Sequence, residues 1–417
     1  MKNIKKAFVG AVSALAIVPL VAQAQDDTVR IGVIGPTTGV FSFFGEQQRM
    51  GVELAIEQSG DEVAGQKVEV VYYDSQGNAE VVVDRLRAMA TRDDIDVVVG
   101  PVLGGTGLAG LEWAKGSGIP MVISYSAPED ITMRNRQENV VRAGWTGAQP
   151  MFAFGEYVAK ELGHKKVVMV GQDYSFPYNQ IGGFMKTFCR AGGESVERIW
   201  HPTGTSDYSS ILATLPDGDV LLYNGAGSDA LAFFQQYHDF GIDARMPLIG
   251  GSNMFAVGDL AEMGQKTVGM LSALQYAEGL QSEQFTEFRD AFWALHGEDT
   301  MPLAPAEHGY VAYKMAIDAI EEAGGVDDRD AVIAALRATE MPDAPRGPFH
   351  LDEYGNPVQN IYINQVTEVD GRLVNQPIKT VENVSQFGPF DPKEYLATKP
   401  DSRDFPPSDC SDPFYED

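Results

Sequence analysis

Thr28-Val-Arg-Ile-Gly-Val-Ile34 is a run rich in β-branched residues, and the next apolar pattern, Phe44 to Gln58, changes to helical spacing. Lys67 to Tyr73 alternates as a strand does, and Ala79 to Thr91 is helical again. Ile95 to Gly100 closes on Gly-Pro and leads to helical Leu108 to Lys115 and strand-like Met121 to Ser124. Strand and helix in repeated alternation predict a parallel sheet covered on both faces, since parallel neighbours need a long crossover between them.

The pattern restarts after Gln149-Pro150. Helices are predicted over Met151–Leu162, Tyr178–Ala191, Tyr208–Thr214, Ser228–Phe240 and around Ala256–Met263. Strands are predicted at Lys166–Val170, Ser195–Trp200, Val220–Tyr223, Pro247–Gly250 and Val268–Ala273, which makes a second doubly wound, Rossmann-like sheet. Helical patterns follow at Ser282–Leu295, Glu307–Glu322 and Ala331–Ala338. Phe349–Asp352 and Ile361–Val366 read as a hairpin about a turn rich in Gly and Pro. From about Gly388 the composition turns to Pro, Asp, Ser and Tyr without periodicity, an extended tail.

Outward from this core, Lys2, Lys5 and Lys6 precede an apolar run, Ala7–Val21, that ends in Ala22-Gln23-Ala24. The run is short for a membrane span and ends in a small-x-small triplet, so residues 1–24 read as a cleaved secretory signal. Removing those three lysines takes the formal charge from -28 to -31, which argues against nucleic acid or an anionic membrane as partner. The remaining length is more than one core usually organises, so two domains are expected. Cys189 and Cys410 lie in no metal-spaced cluster; a disulfide between them and a simply buried Cys189 both stay open.

Gly105-Thr-Gly-Leu-Ala-Gly110 matches the dinucleotide pattern GxGxxG, but on a later strand and after a long gap. Glycines there also let an anionic group approach the N–H donors of a helix N-terminus. Tyr310-Val-Ala-Tyr-Lys314 has the Tyr-x-x-x-Lys spacing of an oxidoreductase, within an ordinary amphipathic helical pattern. GxSxG and HExxH are absent, and no cofactor or metal is expected. The histidines His201, His238, His296, His308 and His350 are expected at surfaces or caps, and His164 at a helix end. Phe41-Ser-Phe-Phe44 puts three rings in a loop, where either a ligand or the following helix must cover them.

Ile31–Gly39, Gly45–Ala55, Tyr73–Gln76, Val97–Pro101, Gly118–Met121, Gly171–Tyr174 and Gly347–Asp352, in this order and spacing, resemble the periplasmic leucine/isoleucine/valine-binding family. Its members are the type I solute receptors of branched-chain and amide-type ABC importers. Phe390–Tyr395 and Ser402–Pro407 resemble the ending of one subgroup. The resemblance implies the type I periplasmic binding protein fold: an N-terminal lobe from 27–147 plus 276–347, a C-terminal lobe from 148–275 plus 348–386, a three-segment hinge, and a tail at 387–417. It implies a periplasmic receptor, not an enzyme, that closes on a small organic molecule and hands it to the permease subunits of the importer.

Carried over, the ligand loops fall at Phe43 and Phe44, Gly104 to Thr106 (with Gly105), Ser124, Tyr125 and Ser126, Tyr174, Ala226 and Gly227, and Ser252 and Asn253, with Trp145 edging the cleft. In amino-acid-binding members a hydroxyl in the second loop holds the ligand carboxylate; here stand Gly104 and Gly105, with Thr106 the nearest hydroxyl. The family's acidic partner for an ammonium aligns near Ser252, which is neutral. A buried ammonium without such a partner is costly, so the aromatic residues favour an aromatic carboxylate, with an amide also open, although Asp173 or Asp229 could supply the charge for an amino acid. An exported sensor of the same fold and an exported oxidoreductase using Gly105 to Gly110 are the competing readings.

Overall fold

The computed structural model describes residues 28–39 and 41–416, and the export signal read over residues 1–24 lies outside them. Among the described residues, β1 (Thr28–Gly35), β2 (Glu62–Val63), β3 (Gln66–Asp74), β4 (Val97–Val99), β5 (Met121–Ile123) and β6 (Val140–Arg142) form one sheet in the order β2-β3-β1-β4-β5-β6. β2 turns back on β3 and the remaining pairs are parallel. Helices α1 (Ser42–Ser59), α2 (Ala79–Arg92) and α3 (Gly104–Ser117) make the crossovers. One sheet face packs on Val52 and Ala55, the other on Leu86, Met89 and Leu111, so the central strands are apolar on both sides.

The second sheet repeats the plan. β7 (Lys166–Gln172), β8 (Ser195–His201), β9 (Val220–Asn224), β10 (Leu248–Gly250) and β11 (Leu271–Leu274) run parallel in the order β11-β10-β9-β7-β8. Their helices are α4 (Gln149–Lys160), α5 (Ser175–Arg190), α6 (Ser209–Ala213), α7 (Ser228–Asp239) and α8 (Val257–Met263). The chain then returns through α9 (Glu283–His296), α10 (Ala304–Ala323) and α11 (Arg329–Arg337); Val311, Ala312 and Met315 of α10 enter the first core.

β12 (Glu340–Met341), β13 (Phe349–Leu351), β14 (Pro357–Val369) and β15 (Arg372–Val384) add an antiparallel flank to the second sheet. The expected hairpin is present, with Leu351 opposite Pro357. β15 was not foreseen, for a physical reason: it pairs only with β14, carries polar residues toward solvent, and holds Pro377 beside a register shift, where a missing N–H is tolerated. The β12–β13 ladder also spans the expected boundary between 347 and 348, and Phe349 and Leu351 pack in the first lobe's core.

The tail is not merely extended. It forms α12 (Pro392–Ala397), buries Tyr395 and Tyr415, and is joined to α5 by a Cys189–Cys410 disulfide. Cys189 is also buried, so the two alternatives left open for it coincide. No helix among the described residues is long and apolar enough to cross a membrane.

Candidate functional site

Parallel strands aim their carboxyl ends at the same side of a sheet, and ligands of open α/β sheets bind there. Phe43 and Phe44 stand in the first turn of α1, not in a loop as expected, because the helix begins at Ser42, and Gly104 to Thr106 open α3; the loop after β5 carries Ser124 to Ser126, and those after β7, β9 and β10 carry Tyr174, Ala226 and Gly227, and Ser252 and Asn253. The two sets meet: the Tyr125 hydroxyl donates to Asn253 Oδ1 at 3.0 Å across the lobes.

A row of rings runs through this junction. Centroids lie 6.0 Å apart for Phe43–Phe44, 6.2 Å for Phe44–Tyr125, 5.6 Å for Tyr125–Trp145, 5.6 Å for Trp145–Phe176 and 6.3 Å for Phe176–Tyr174. The two ends are open to solvent, Phe43 at 42% and Tyr174 at 41%, while Tyr125 and Trp145 are buried. Trp145 therefore does not edge the cleft as expected; it fills the space behind it, where the chain crosses between lobes, and its Nε1–H has no partner. Phe176, in the first turn of α5, was missed; its only sequence signal was a ring close after Tyr174.

α3 begins at Gly104, four residues earlier than its apolar spacing suggests, because Gly104 and Gly105 add no apolar residue to the pattern. The gap after β4 is thus short. Gly105, Gly107 and Gly110 stand inside the helix instead of in a turn ahead of it, which is not the dinucleotide arrangement. Gly107 is instead a packing position, since a Cβ there would overlap Ser126 Oγ. Leu103 caps α3 without a side-chain bond and no acid lies in the first turn, so no side chain compensates the partial positive charge of this N-terminus.

The expected hydroxyls divide. Thr106 Oγ1 donates to Leu103 O at 2.8 Å, and Ser124 Oγ accepts from Gln48 Nε2 at 2.9 Å and donates to Pro101 O at 3.3 Å. Ser126 Oγ is buried with no hydrogen-bond partner among the described residues. In the other lobe Gln180, also missed, binds Ser252 twice: Nε2 donates to Ser252 Oγ at 2.5 Å, and Oε1 accepts from Ser252 N at 3.1 Å.

Residues 28–372 match the family described as Periplasmic binding protein. The chain belongs to that family. Among its relatives is the Leu/Ile/Val-binding protein homolog 6 of Brucella melitensis, 30% identical over 395 residues that cover 91% of this chain and 98% of the relative. Among solved structures, an ABC transporter substrate-binding protein from Sphaerobacter thermophilus superposes with a TM-score of 0.82 at 25% identity, covering 86% of this chain and 99% of that one. A solute-binding protein of an ABC transporter from Rhodopseudomonas palustris BisB5, in complex with 3,4-dihydroxybenzoic acid, gives 0.80 at 28% identity over 86% and 99%.

Membership implies the periplasm, and the relatives are named as binding proteins or transporter components. In this periplasmic binding protein three acids, Asp229, Asp173 and Glu278, lie on the segments around the cleft. Asp229 is buried in the first turn of α7 and accepts from Gln172 Nε2 at 2.8 Å and Gly204 N at 2.9 Å. Asp173 is engaged by Tyr178 and by Arg403 of the tail. Glu278, on the crossing after β11, was missed; it is buried and accepts from Asn375 Nδ2 at 3.0 Å, and burial pushes its carboxyl up to about 7.

Two histidines expected at surfaces or caps, His201 and His308, are buried instead. His308 stacks edge-on against Tyr125 at 5.3 Å, with burial holding its imidazole below the ordinary range. Next to it Glu307 and Arg346 form a fully buried ion pair at 2.9 Å.

Proposed function

We propose that this chain is the receptor of an ABC importer, exported behind residues 1–24, and that it carries an aromatic carboxylate to the permease without altering it. One observation carries the ligand class: the ring row from Phe43 to Tyr174 packs with Leu103, the residue just before the uncapped N-terminus of α3. A flat ring is held between rings, and its carboxylate takes the N–H donors of Gly104, Gly105 and Thr106, with Ser126 as a further donor. A carboxylate at α7 is disfavoured by Asp229 in that helix's first turn. The Rhodopseudomonas palustris neighbours support the class, since one is in complex with 3,4-dihydroxybenzoic acid and another with p-hydroxybenzoic acid, at 28% and 26% identity.

A free amino acid is the second reading, favoured by Glu278 as a buried carboxylate for an ammonium. Thermal shift and calorimetry with 3,4-dihydroxybenzoate, 4-hydroxybenzoate, benzoate and leucine separate the two, because a ligand of the folded state raises Tm by mass action. A shift with the aromatic acids and none with leucine is expected. The reverse result overturns the aromatic reading.

A further inference from the structure

The tail touches both lobes, and it holds them by different means. On the second lobe its attachment is covalent and extended: Cys410 is bonded to Cys189 of α5, Val196 N donates to Ser408 O at 3.0 Å, and Cys410 N donates to Glu194 O at 3.1 Å. Asp401 is buried against Gly182, where any Cβ would overlap its carboxylate, and accepts from Lys186 Nζ at 2.6 Å. Lys186 also reaches the Tyr395 hydroxyl at 3.1 Å. On the first lobe the attachment is a few directed hydrogen bonds. The Tyr395 hydroxyl donates to Glu129 Oε1 at 2.8 Å, and Arg134 Nη2 donates to Thr398 O at 2.9 Å and to Tyr395 O at 3.3 Å. Met133 packs with Phe387 and Tyr395 beside them.

Glu129 follows the loop Ser124–Ser126 by only Ala127 and Pro128, and Pro128 packs beside Gly104 at the start of α3. Arg142, fully buried, braces the same loop through Ser126 O and, at 2.8 Å, Pro128 O. Glu129 also meets the second lobe directly, accepting from Asn179 Nδ2 at 3.5 Å. The segment 124–134 is therefore held from behind by its own lobe and from the side by the tail.

We propose that residues 387–410 form an inter-lobe clasp: fixed to the second lobe, they grip the first at Glu129 and Arg134 and so limit how far the 124–134 segment and its lobe swing away. Glu129, Arg134 and Tyr395 are positioning residues that act on the cleft through the loop. The consequence for ligand affinity rests on the reading of 124–126 as a ligand loop; the effect on the hinge does not.

The test uses full-length protein without ligand. Tyr395→Phe, which removes one hydroxyl, and Tyr395→Phe combined with Arg134→Ala are compared with the parent by amide hydrogen exchange and small-angle X-ray scattering. Loss of two or three hydrogen bonds predicts exchange roughly 30- to 150-fold faster across 124–134. The radius of gyration of the double variant should rise, while exchange in β7, β9 and β10 stays as in the parent. Glu129→Gln keeps an acceptor for Tyr395 and should retain parental exchange. Unchanged exchange over 124–134 with an unchanged radius of gyration in both variants overturns the clasp. Acceleration spread evenly over both lobes also overturns it, since that is general destabilisation. Neither result depends on whether any aromatic acid binds.

Discussion

β5 and β10 occupy corresponding places in two sheets of matching order, β3-β1-β4-β5-β6 and β8-β7-β9-β10-β11, yet the residues after them differ in kind. Ser124-Tyr125-Ser126 offers a ring and an unpaired hydroxyl; Gly251-Ser252-Asn253 offers amide and hydroxyl groups already bound to Gln180 and Tyr125. The next correspondence is sharper. α3, after β4, starts with two glycines and no acid, whereas α7, after β9, carries Asp229 in its first turn. On the proposed reading the α3 side accepts an anion and the α7 side refuses one, so a ligand with a single carboxylate would have one way to lie between them.

The lobes also differ in what holds them from behind, and the largest effects are expected there. The first lobe is fastened to the third crossing by the buried Glu307–Arg346 pair, with Arg346 Nη2 donating to Ala143 O at 2.5 Å. Arg346→Met leaves the buried Glu307 carboxylate with only the His308 ring at 2.9 Å beside it and should cost about 3–5 kcal/mol in chemical denaturation. A loss below about 1 kcal/mol would mean that Glu307 protonates and the pair is dispensable. The second lobe has a disulfide as well as the buried Lys186–Asp401 pair. Cys189→Ser with Cys410→Ser should cost about 2–4 kcal/mol, with faster exchange in α5 and β8 and none in β1 or β4. Equal acceleration in both sheets would show that the tail stabilises the molecule as a whole.

The cleft comparison can be broken directly by making α3 resemble α7. A side chain at Gly105 meets nothing nearby, so Gly105→Asp is tolerated sterically and its charge suits a helix N-terminus. Stability should hold or rise slightly. Affinity for 3,4-dihydroxybenzoate should fall at least tenfold, about 1.4 kcal/mol, because the anionic ligand now meets an anion. Unaltered affinity would move the carboxylate away from α3. Ser126→Ala is the milder companion: it removes an unpaired buried hydroxyl, so Tm should not fall, while affinity drops several-fold if that hydroxyl serves the ligand.

Much of the scaffold was legible because the central parallel strands are buried on both faces and write themselves as short apolar runs, as Val97–Val99 and Val220–Asn224 do. β15 was not, because an edge strand with one partner needs neither alternation nor freedom from proline. The tail was not, because its order comes from Cys189, Lys186 and Glu129, residues more than two hundred positions away. The loops of the candidate site followed from strand ends and the family resemblance. What those loops do with their polar groups did not: that Thr106 and Ser124 are spent and Ser126 is not depends on Gln48, Leu103 and Pro101 arriving from other elements.

Glu278 belongs to neither wall, and pH is the probe that separates its roles. Its folded carboxyl titrates at about 7, above the 4.5 of an exposed glutamate, and burial is the cause. The native state therefore holds a proton that the unfolded chain has released, so stability is greatest at acid pH and falls as pH rises from about 4.5 through about 7. Glu129, pushed up to about 8 by burial and by Asp401, contributes a slope of the same sign, so the comparison must be between parent and Glu278→Gln. The variant lacks this share of the slope, and the Tm difference in its favour should grow between pH 5 and pH 8. A constant difference would mean that Glu278 is already ionised and paired. Were leucine the ligand, its ammonium would hold Glu278 ionised and binding near pH 6 would release a proton to the buffer; an aromatic acid bound at α3 leaves that proton in place.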